Sequence, residues 1–242
     1  MVDYEQLAEK VIRTSDIVLL VVDARMARQS INKLFEARIK KYGKKIIYVI
    51  NKCDLLDKQD LSRIQMADSV KVSSLKRMGT LKLLKRIQEL ARGKDVVVGV
   101  VGFPNTGKSS VINALKGRKS APTSPVSGYT KGMQKLRISS NIMMIDTPGV
   151  LPYSKKRPDL IMIGAIDADK LRDPENAAAD LIDSLNGRVE KHFGVRKTKD
   201  KIKTIENIAI KKSILKKGGE PDTARMSREI LRLCQRGKIK IS

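Results

Sequence analysis

Residues 96–109 read VVVGVVGFPNTGKS, an almost uninterrupted apolar run followed by a glycine-rich turn that ends in Lys108 and Ser109. The turn matches the pattern G-x-x-x-x-G-K-[ST], and the apolar run is typical of a strand buried on both faces. Glycines let the backbone curl until several N–H groups point at one phosphate, and a following helix adds its positive end. We therefore predict a phosphate-binding loop between a parallel strand and a helix.

Other segments repeat this alternation of strand and helix. Short apolar runs at residues 17–22, 46–50 and 142–145 predict buried strands, and weaker patterns lie at residues 70–72 and 133–138. Helical periodicity covers residues 30–42 and 80–92, the second with Thr80 as its N-cap and Gly93 as its end. Strands that alternate with helices predict an α/β fold with a doubly wound sheet.

The phosphate-binding loop supplies most of the predicted nucleotide contacts. Lys108 would reach the β- and γ-phosphates, and the Ser109 hydroxyl would bind Mg²⁺. The candidate nucleotide-binding residues of this loop are Asn105, Thr106, Gly107, Lys108, Ser109 and Ser110.

A second motif, DTPG at residues 146–149, follows the strand predicted at residues 142–145. Asp146 would hold Mg²⁺, and the backbone N–H of Gly149 would reach the γ-phosphate, although a plain turn explains an isolated D-x-x-G equally well. Thr130 lies between the two motifs, where a hydroxyl that senses Mg²⁺ and the γ-phosphate is needed. We predict Lys108, Thr130 and Gly149 as the catalytic set, and Ser109, Thr130 and Asp146 as the Mg²⁺ ligands.

A third motif, NKCD at residues 51–54, follows the strand predicted at residues 46–50. The Asp54 carboxylate can accept two hydrogen bonds from the N1 and N2 donors of guanine, a pair that adenine lacks. Lys52 would pack along the base, and Asn51 would tie loops together. A polar turn is the alternative. Backbone N–H groups at Ser73 and Ser74 are candidates for the guanine O6.

The charge balance predicts a polyanionic partner. The chain of 242 residues carries 50 Lys and Arg against 26 Asp and Glu, a net charge of +24. Heat adaptation or solubility can also raise lysine content, but an excess of this size favours nucleic acid. Residues 188–217 alone hold eleven basic and three acidic side chains, which indicates either an RNA-contacting surface or a solvated face.

Composition argues against several other classes. The two cysteines, Cys53 and Cys234, lack zinc-ligand spacing and are expected to be reduced thiols. The acidic, polar N-terminus is unlike a signal peptide, and no apolar run is long enough to span a membrane. We expect a cytoplasmic protein, monomeric and without a membrane partner.

The strand signal ends near residue 168. Asp173 and Pro174 predict the start of a helix that Gly187 ends, Thr204 a second helix that ends at residues 218–219, and Asp222 a third that ends at Gly237. We predict a GTPase domain at residues 1–168 and a small, basic, all-helical domain at residues 169–242 that binds RNA.

The order of the motifs resembles a known family. Base recognition at residues 51–54 precedes the phosphate loop at residues 102–109, the reverse of Ras-like GTPases. This order is similar to the circularly permuted GTPases of the YlqF/YawG type. The segments DIVLLVVDAR (residues 16–25) and KGGEPD (residues 217–222) resemble the opening strand and C-terminal helical domain of that family.

The resemblance implies a P-loop GTPase that binds GTP or GDP with Mg²⁺ and acts in large ribosomal subunit assembly, on rRNA or a pre-ribosomal particle. Asn105 matches the position at which some related GTPases bind K⁺. Val150 stands where Ras-like proteins have a water-orienting Gln, so intrinsic hydrolysis is expected to be slow until a ribosomal partner completes the site. The alternative is a GTP-regulated protein that binds another RNA with little turnover.

The chain departs from the family in two respects. It lacks the N-terminal Gly-His-Met of many bacterial members, and its only histidine, His192, lies in the basic tail. Its switch segment reads SGYT at residues 127–130, where the family often has Pro-Gly-x-Thr, and Thr130 keeps its predicted role because the threonine is retained.

Overall fold

The computed structural model describes residues 4–116, 134–147, 161 and 164–239. The chain divides into two compact units, residues 1–153 and 154–242. The first unit is built on a six-stranded sheet and the second is helical in the part that the model describes, which confirms the predicted α/β fold followed by a helical region.

The sheet has the strand order β3-β2-β1-β4-β6-β5. All neighbouring strands are parallel except β5, which runs antiparallel to β6. The strands are β1 (Ile17–Asp23), β2 (Lys45–Asn51), β3 (Ser69–Lys71), β4 (Val96–Val101), β5 (Gln134–Ser139) and β6 (Ile142–Asp146). Because β1, β2, β3, β4 and β6 are parallel, their carboxyl ends and the loops that follow meet at one edge.

Helices cover both faces of this sheet. They are α1 (Tyr4–Thr14), α2 (Lys33–Lys41), α3 (Lys58–Arg63), α4 (Thr80–Ala91) and α5 (Lys108–Lys116). α4 and α5 bury Leu83 and Ile112 in one core cluster, whereas α1 and α2 bury Ile12 and Phe35 in another. Alternate residues of β1 enter the two clusters, which explains why the strand sequences are apolar throughout.

The helix α1 was not predicted, because the first residues of the chain are polar. Ala8, Val11 and Ile12 form an apolar face on this helix, and the face is buried where the helix packs against the sheet. Gly99 of β4 permits this close packing, because a Cβ there would lie 2.3 Å from the Ser15 hydroxyl oxygen and 2.9 Å from a Val11 methyl carbon. The predicted cap of α4 was wrong as well: Gly79 is the N-cap, with φ of 72°, and Thr80 is the first helical residue.

The second unit contains α6 (Pro174–Ser184), α7 (Arg188–Phe193), α8 (Lys201–Lys211) and α9 (Thr223–Gln235). α6, α8 and α9 pack together and bury Leu181, Ile208 and Ile230 completely. Asp173 and Asp222 cap α6 and α9 as predicted, each with a carboxylate that accepts a backbone N–H.

Three expectations about these helices were wrong. α6 ends at Ser184, and Gly187, with φ of 90°, begins the unpredicted α7. α8 begins at Lys201 under an Asp200 cap, so Thr204 lies inside the helix, where it is fully buried. α8 also ends at Lys211, ahead of the glycines at residues 218–219, because Lys212 already closes its last turn.

The two compact units meet between residues 153 and 154. The side-chain amide of Gln235 in α9 donates hydrogen bonds of 2.9 and 3.0 Å to the carbonyls of Ile161 and Ile166. Ile161, Ala165 and Ala168 are buried. These contacts attach Ile161 and residues 164–168 to the helical unit, and they connect residues too distant in sequence for periodicity to reveal.

Candidate nucleotide-binding site

The phosphate loop lies between β4 and α5, at the carboxyl edge of the sheet. Gly107 has φ of 93°, and a Cβ there would lie 2.2 Å from the Asn51 amide nitrogen, so only glycine fits. Thr106 is fully buried, and its hydroxyl donates a 2.9 Å hydrogen bond to the Phe103 carbonyl. Asn105 is exposed with φ of 59°, and Ser109 and Ser110 are exposed in the first turn of α5.

Lys108 is folded back into this loop. Its Nζ donates a 2.9 Å hydrogen bond to the Phe103 carbonyl, and only 5% of the residue is exposed. Burial lowers the pKa of Lys108 to about 8, although the charge of Asp146 opposes the shift. A phosphate group would supply the anionic partner that the ammonium group needs to remain charged in this position.

Asn51 connects the phosphate loop to the segment that carries Ser73 and Ser74. Its amide nitrogen donates a 2.9 Å hydrogen bond to the Thr106 carbonyl, and its amide oxygen accepts one of 3.1 Å from the Ser74 backbone N–H. Asn51 is 1% exposed. One buried side chain therefore fixes the phosphate loop against the segment that carries Ser73 and Ser74.

The base-recognition segment follows β2. Lys52 adopts a left-handed conformation, and Cys53 and Asp54 form a 3-10 turn whose Cys53 N–H donates to the Val72 carbonyl. The half-buried Asp54 carboxylate accepts no hydrogen bond within the described part of the chain, so it can accept donors from a base. Ser73 is fully buried, and its hydroxyl accepts the Lys76 N–H at 3.1 Å.

Ser109 and Asp146 form the remaining polar pair at this edge. The Ser109 hydroxyl donates a 2.7 Å hydrogen bond to Oδ2 of Asp146. Oδ1 of Asp146 is buried, and none of the residues that the structure describes forms a hydrogen bond with it. A hydroxyl beside a carboxylate with an unused oxygen is a donor set that suits Mg²⁺.

The next residue, Thr147, is anchored by a 2.7 Å hydrogen bond to the Val100 carbonyl. Thr130, Gly149 and Val150, to which the sequence assigned switch and catalytic positions, lie outside the described residues. The structure thus brings together the base-recognition segment, the phosphate loop and Asp146 at one edge of the sheet.

Asp23, the last residue of β1, and Arg25, two positions later, lie at the same edge and have no predicted role in the site. Arg25 and Lys52 both pair with the fully buried Asp23. The available signal was an acidic residue directly after a buried strand, the same pattern that identified Asp146.

Comparisons with known proteins agree with this geometry. The model of the RsgA GTPase family matches residues 4–154, more than half of the chain, and that of the 50S ribosome-binding GTPases matches residues 97–216. A GTP-binding protein of Methanocaldococcus jannaschii is 37% identical over 98% of this chain. Nucleolar GTP-binding protein 2 of Saccharomyces cerevisiae is 33% identical over 95% of it.

The chain spans 66% and 51% of the lengths of these two relatives. The crystal structure of GNP-bound YlqF from T. maritima has the same fold. Its TM-score is 0.71 at 24% identity, covering 97% of this chain and 94% of the other. No helix in the described ranges is both long and apolar enough to cross a membrane.

Proposed function

Since the chain belongs to the circularly permuted GTPases, we propose that it is a GTP-binding and GTP-hydrolysing switch that acts in large ribosomal subunit assembly. The observation that carries the proposal is the double hydrogen bond of Asn51, which joins the phosphate loop to the Ser73–Ser74 segment. The Asp54 carboxylate and the Lys108 ammonium group lie at the same edge of the sheet, because they follow the parallel strands β2 and β4.

Each predicted residue has a role in this proposal. Asp54 accepts the guanine N1 and N2 donors, and Lys52 packs along the base. The predicted O6 donors are engaged within the protein: the Ser73 N–H donates to the Met78 carbonyl at 3.0 Å and the Ser74 N–H to the Asn51 amide oxygen at 3.1 Å. A contact from this segment to O6 therefore requires one of these bonds to be exchanged. The backbone of residues 105–110 surrounds the phosphates, which Lys108 neutralises. Thr130 and Gly149 contact the γ-phosphate.

Ser109, Thr130 and Asp146 would hold Mg²⁺, and the unpartnered Oδ1 of Asp146 supports this assignment. A bound Mg²⁺ stabilises the negative charge that develops on the phosphate oxygens. Asn105 is proposed as a K⁺ ligand, and its exposed side chain beside the phosphate loop is compatible with that role.

The RNA-binding role rests on the helical unit, which we propose as a separate domain. The basic residues of 188–217 are exposed except for the half-buried Lys201. Within the described part of the chain, Lys201 is also the one member of this set that pairs with a carboxylate, 3.7 Å from Asp183. Exposed cations without carboxylate partners are available to RNA phosphates. The match to the family of 50S ribosome-binding GTPases and the similarity to nucleolar GTP-binding protein 2 support rRNA of the large subunit as the proposed target.

GTP turnover with and without purified large ribosomal subunits tests the proposal, first in K⁺ and then in Na⁺. We expect slow turnover alone, because Val150 cannot orient water, and strong stimulation by subunits in K⁺. A Lys108→Ala variant is the negative control. Subunits that bind without raising turnover would favour the alternative, a GTP-regulated RNA-binding protein. Subunits that neither bind nor stimulate would refute the ribosomal assignment.

A further inference from the structure

Asp23, at the carboxyl end of β1, is the centre of a buried cluster of charges. It is fully buried and lies opposite Asn51 in the pairing of β1 with β2. The Arg25 guanidinium group donates two hydrogen bonds to this carboxylate, 2.9 Å from Nε to Oδ1 and 2.7 Å from Nη2 to Oδ2. The Nζ of Lys52 lies 2.8 Å from the same Oδ2. One carboxylate thus forms ion pairs with two basic side chains.

The cluster remains ionised because its members support one another. Burial opposes ionisation of Asp23, but the hydrogen bonds and charges of Arg25 and Lys52 prevail and keep the pKa of Asp23 below its ordinary value. Burial lowers the pKa of Lys52, and Asp23 opposes that shift. A buried ion cluster is a poor source of stability compared with apolar packing, so its presence at this edge calls for another explanation.

Lys52 is the member of the cluster that belongs to the base-recognition segment. It lies between Asn51, which holds the phosphate loop, and Asp54, which has no hydrogen-bond donor among the described residues. Its backbone has φ of 63°, a conformation that non-glycine residues adopt only when their surroundings enforce it. The ion pair with Asp23 supplies such a constraint and fixes the direction of the Lys52 side chain.

We propose that Asp23, held by Arg25, is a positioning residue for nucleobase specificity: it anchors Lys52 and thereby orients the segment that presents Asp54 to guanine. This inference rests on the proposed guanine site. It extends that site to the end of β1 and assigns a role to two residues that do not touch the base. Without the anchor, residues 52–54 would retain their sequence but lose their fixed orientation.

The test compares dissociation constants of GDP, IDP and ADP for the full chain, measured by equilibrium titration. IDP lacks the guanine 2-amino group, so the ratio of the IDP to the GDP constant reports the contact to Asp54. We expect Asp23→Asn to lower this ratio about tenfold, the effect of losing about 1.4 kcal/mol of discrimination. Lys52→Met should lower it similarly. This second variant leaves the pair between Asp23 and Arg25 intact, and it decides the question if Asp23→Asn does not fold.

Asp68→Asn is the matched control. It makes the same chemical change at the amino end of β3, in a half-exposed ion pair with Arg86, and the ratio should not change. A double variant separates positioning from general damage. In an Asp54→Asn background, Asp23→Asn should have no further effect on the ratio, because the contact that it orients is already lost.

The outcomes distinguish this inference from the proposed function. If the wild type binds GDP, IDP and ADP equally, the guanine site itself is wrong. If the wild type prefers GDP, and Asp23→Asn weakens all three nucleotides equally with an unchanged ratio, the positioning role is overturned. A ratio lowered by Asp23→Asn, with Asp68→Asn unchanged, supports it. Lys52→Met takes the place of Asp23→Asn in these two criteria only if Asp23→Asn does not fold.

Discussion

The Ser109 hydroxyl donates a 2.7 Å hydrogen bond to one carboxylate oxygen of Asp146, and the other oxygen of Asp146 is buried with no hydrogen-bond partner among residues 4–116, 134–147, 161 and 164–239. An unpaired buried carboxylate oxygen is costly, so the pair is poised to accept a cation. The two residues lie 37 positions apart in sequence and meet because α5 follows β4, the direct neighbour of β6 in the sheet.

This pair predicts Mg²⁺-dependent nucleotide binding. Mg²⁺ should tighten the binding of a non-hydrolysable GTP analogue to the wild type about tenfold or more. Asp146→Asn, which keeps the shape but removes the charge, should abolish that gain. Titration with EDTA and then with excess Mg²⁺ measures it. An Asp146→Asn protein that responds to Mg²⁺ as the wild type does would remove Asp146 from the metal site.

The lowered pKa of Lys108 predicts a pH-dependent stability in the absence of nucleotide. Between its folded value of about 8 and its ordinary value of 10.5, the unfolded chain holds a proton that the folded chain has released. Raising the pH through that window therefore favours the folded state. The free energy of unfolding of the wild type, minus that of Lys108→Met, should therefore rise by ~3 kcal/mol from about pH 7 to about pH 11.

Urea unfolding of both proteins at each pH measures this difference, and the comparison cancels titrations that the two proteins share. A constant difference across the range would mean that Lys108 keeps its proton in the folded protein despite its burial.

Asn51→Ala should destabilise the first unit. The substitution leaves the Thr106 carbonyl and the Ser74 N–H without their partner, and each unsatisfied buried group costs about 1–3 kcal/mol. We expect a loss of ~2–4 kcal/mol in chemical unfolding. Asn141→Ala is the control: its amide donates one exposed 3.4 Å hydrogen bond to the Lys94 carbonyl and accepts one of 3.1 Å from the Ser139 hydroxyl, which can turn to water instead. The change should therefore remain below about 1 kcal/mol. Equal effects of the two substitutions would contradict the bridging role of Asn51.

Truncation should separate nucleotide binding from RNA binding. A protein that ends at residue 153 retains the whole sheet, so we expect unchanged GDP affinity. It lacks the exposed cations of residues 188–217, so its affinity for a large-subunit rRNA transcript should fall at least about tenfold, with a weaker dependence on salt. A filter-binding series over several salt concentrations measures both quantities.

A second truncation, at residue 168, offers a matched comparison with the protein that ends at residue 153. A protein that ends at residue 168 would keep Ile161, Ala165 and Ala168 without the helices that bury them. It should aggregate more readily or be less stable to heat than the protein that ends at residue 153. If the two behave alike, residues 161–168 do not depend on the helical unit. RNA affinity equal to that of the full chain in both would exclude the helical unit as the RNA-binding part.

Several elements followed directly from the sequence. The runs at residues 17–22, 46–50, 96–101 and 142–145 are strands in the structure because an all-apolar run of this length suits a position between two helical layers. The G-x-x-x-x-G-K-S turn forms its loop because Gly107 adopts a conformation and a contact distance that other residues cannot. These features depend on neighbours in sequence, and local patterns therefore reveal them.

By itself, the sequence determined the parallel α/β core, the permuted order of the motifs and the candidate residues for base and phosphate recognition. Only the tertiary structure decided which of these side chains meet: Asn51 with Thr106, Ser109 with Asp146, and Asp23 with both Arg25 and Lys52. It also decided that α1 is a helix, where α8 begins, and that Ile161 and residues 164–168 pack with the helical unit. Strand register and packing across the sheet set these relationships, and neither is encoded in the spacing of residues along one segment.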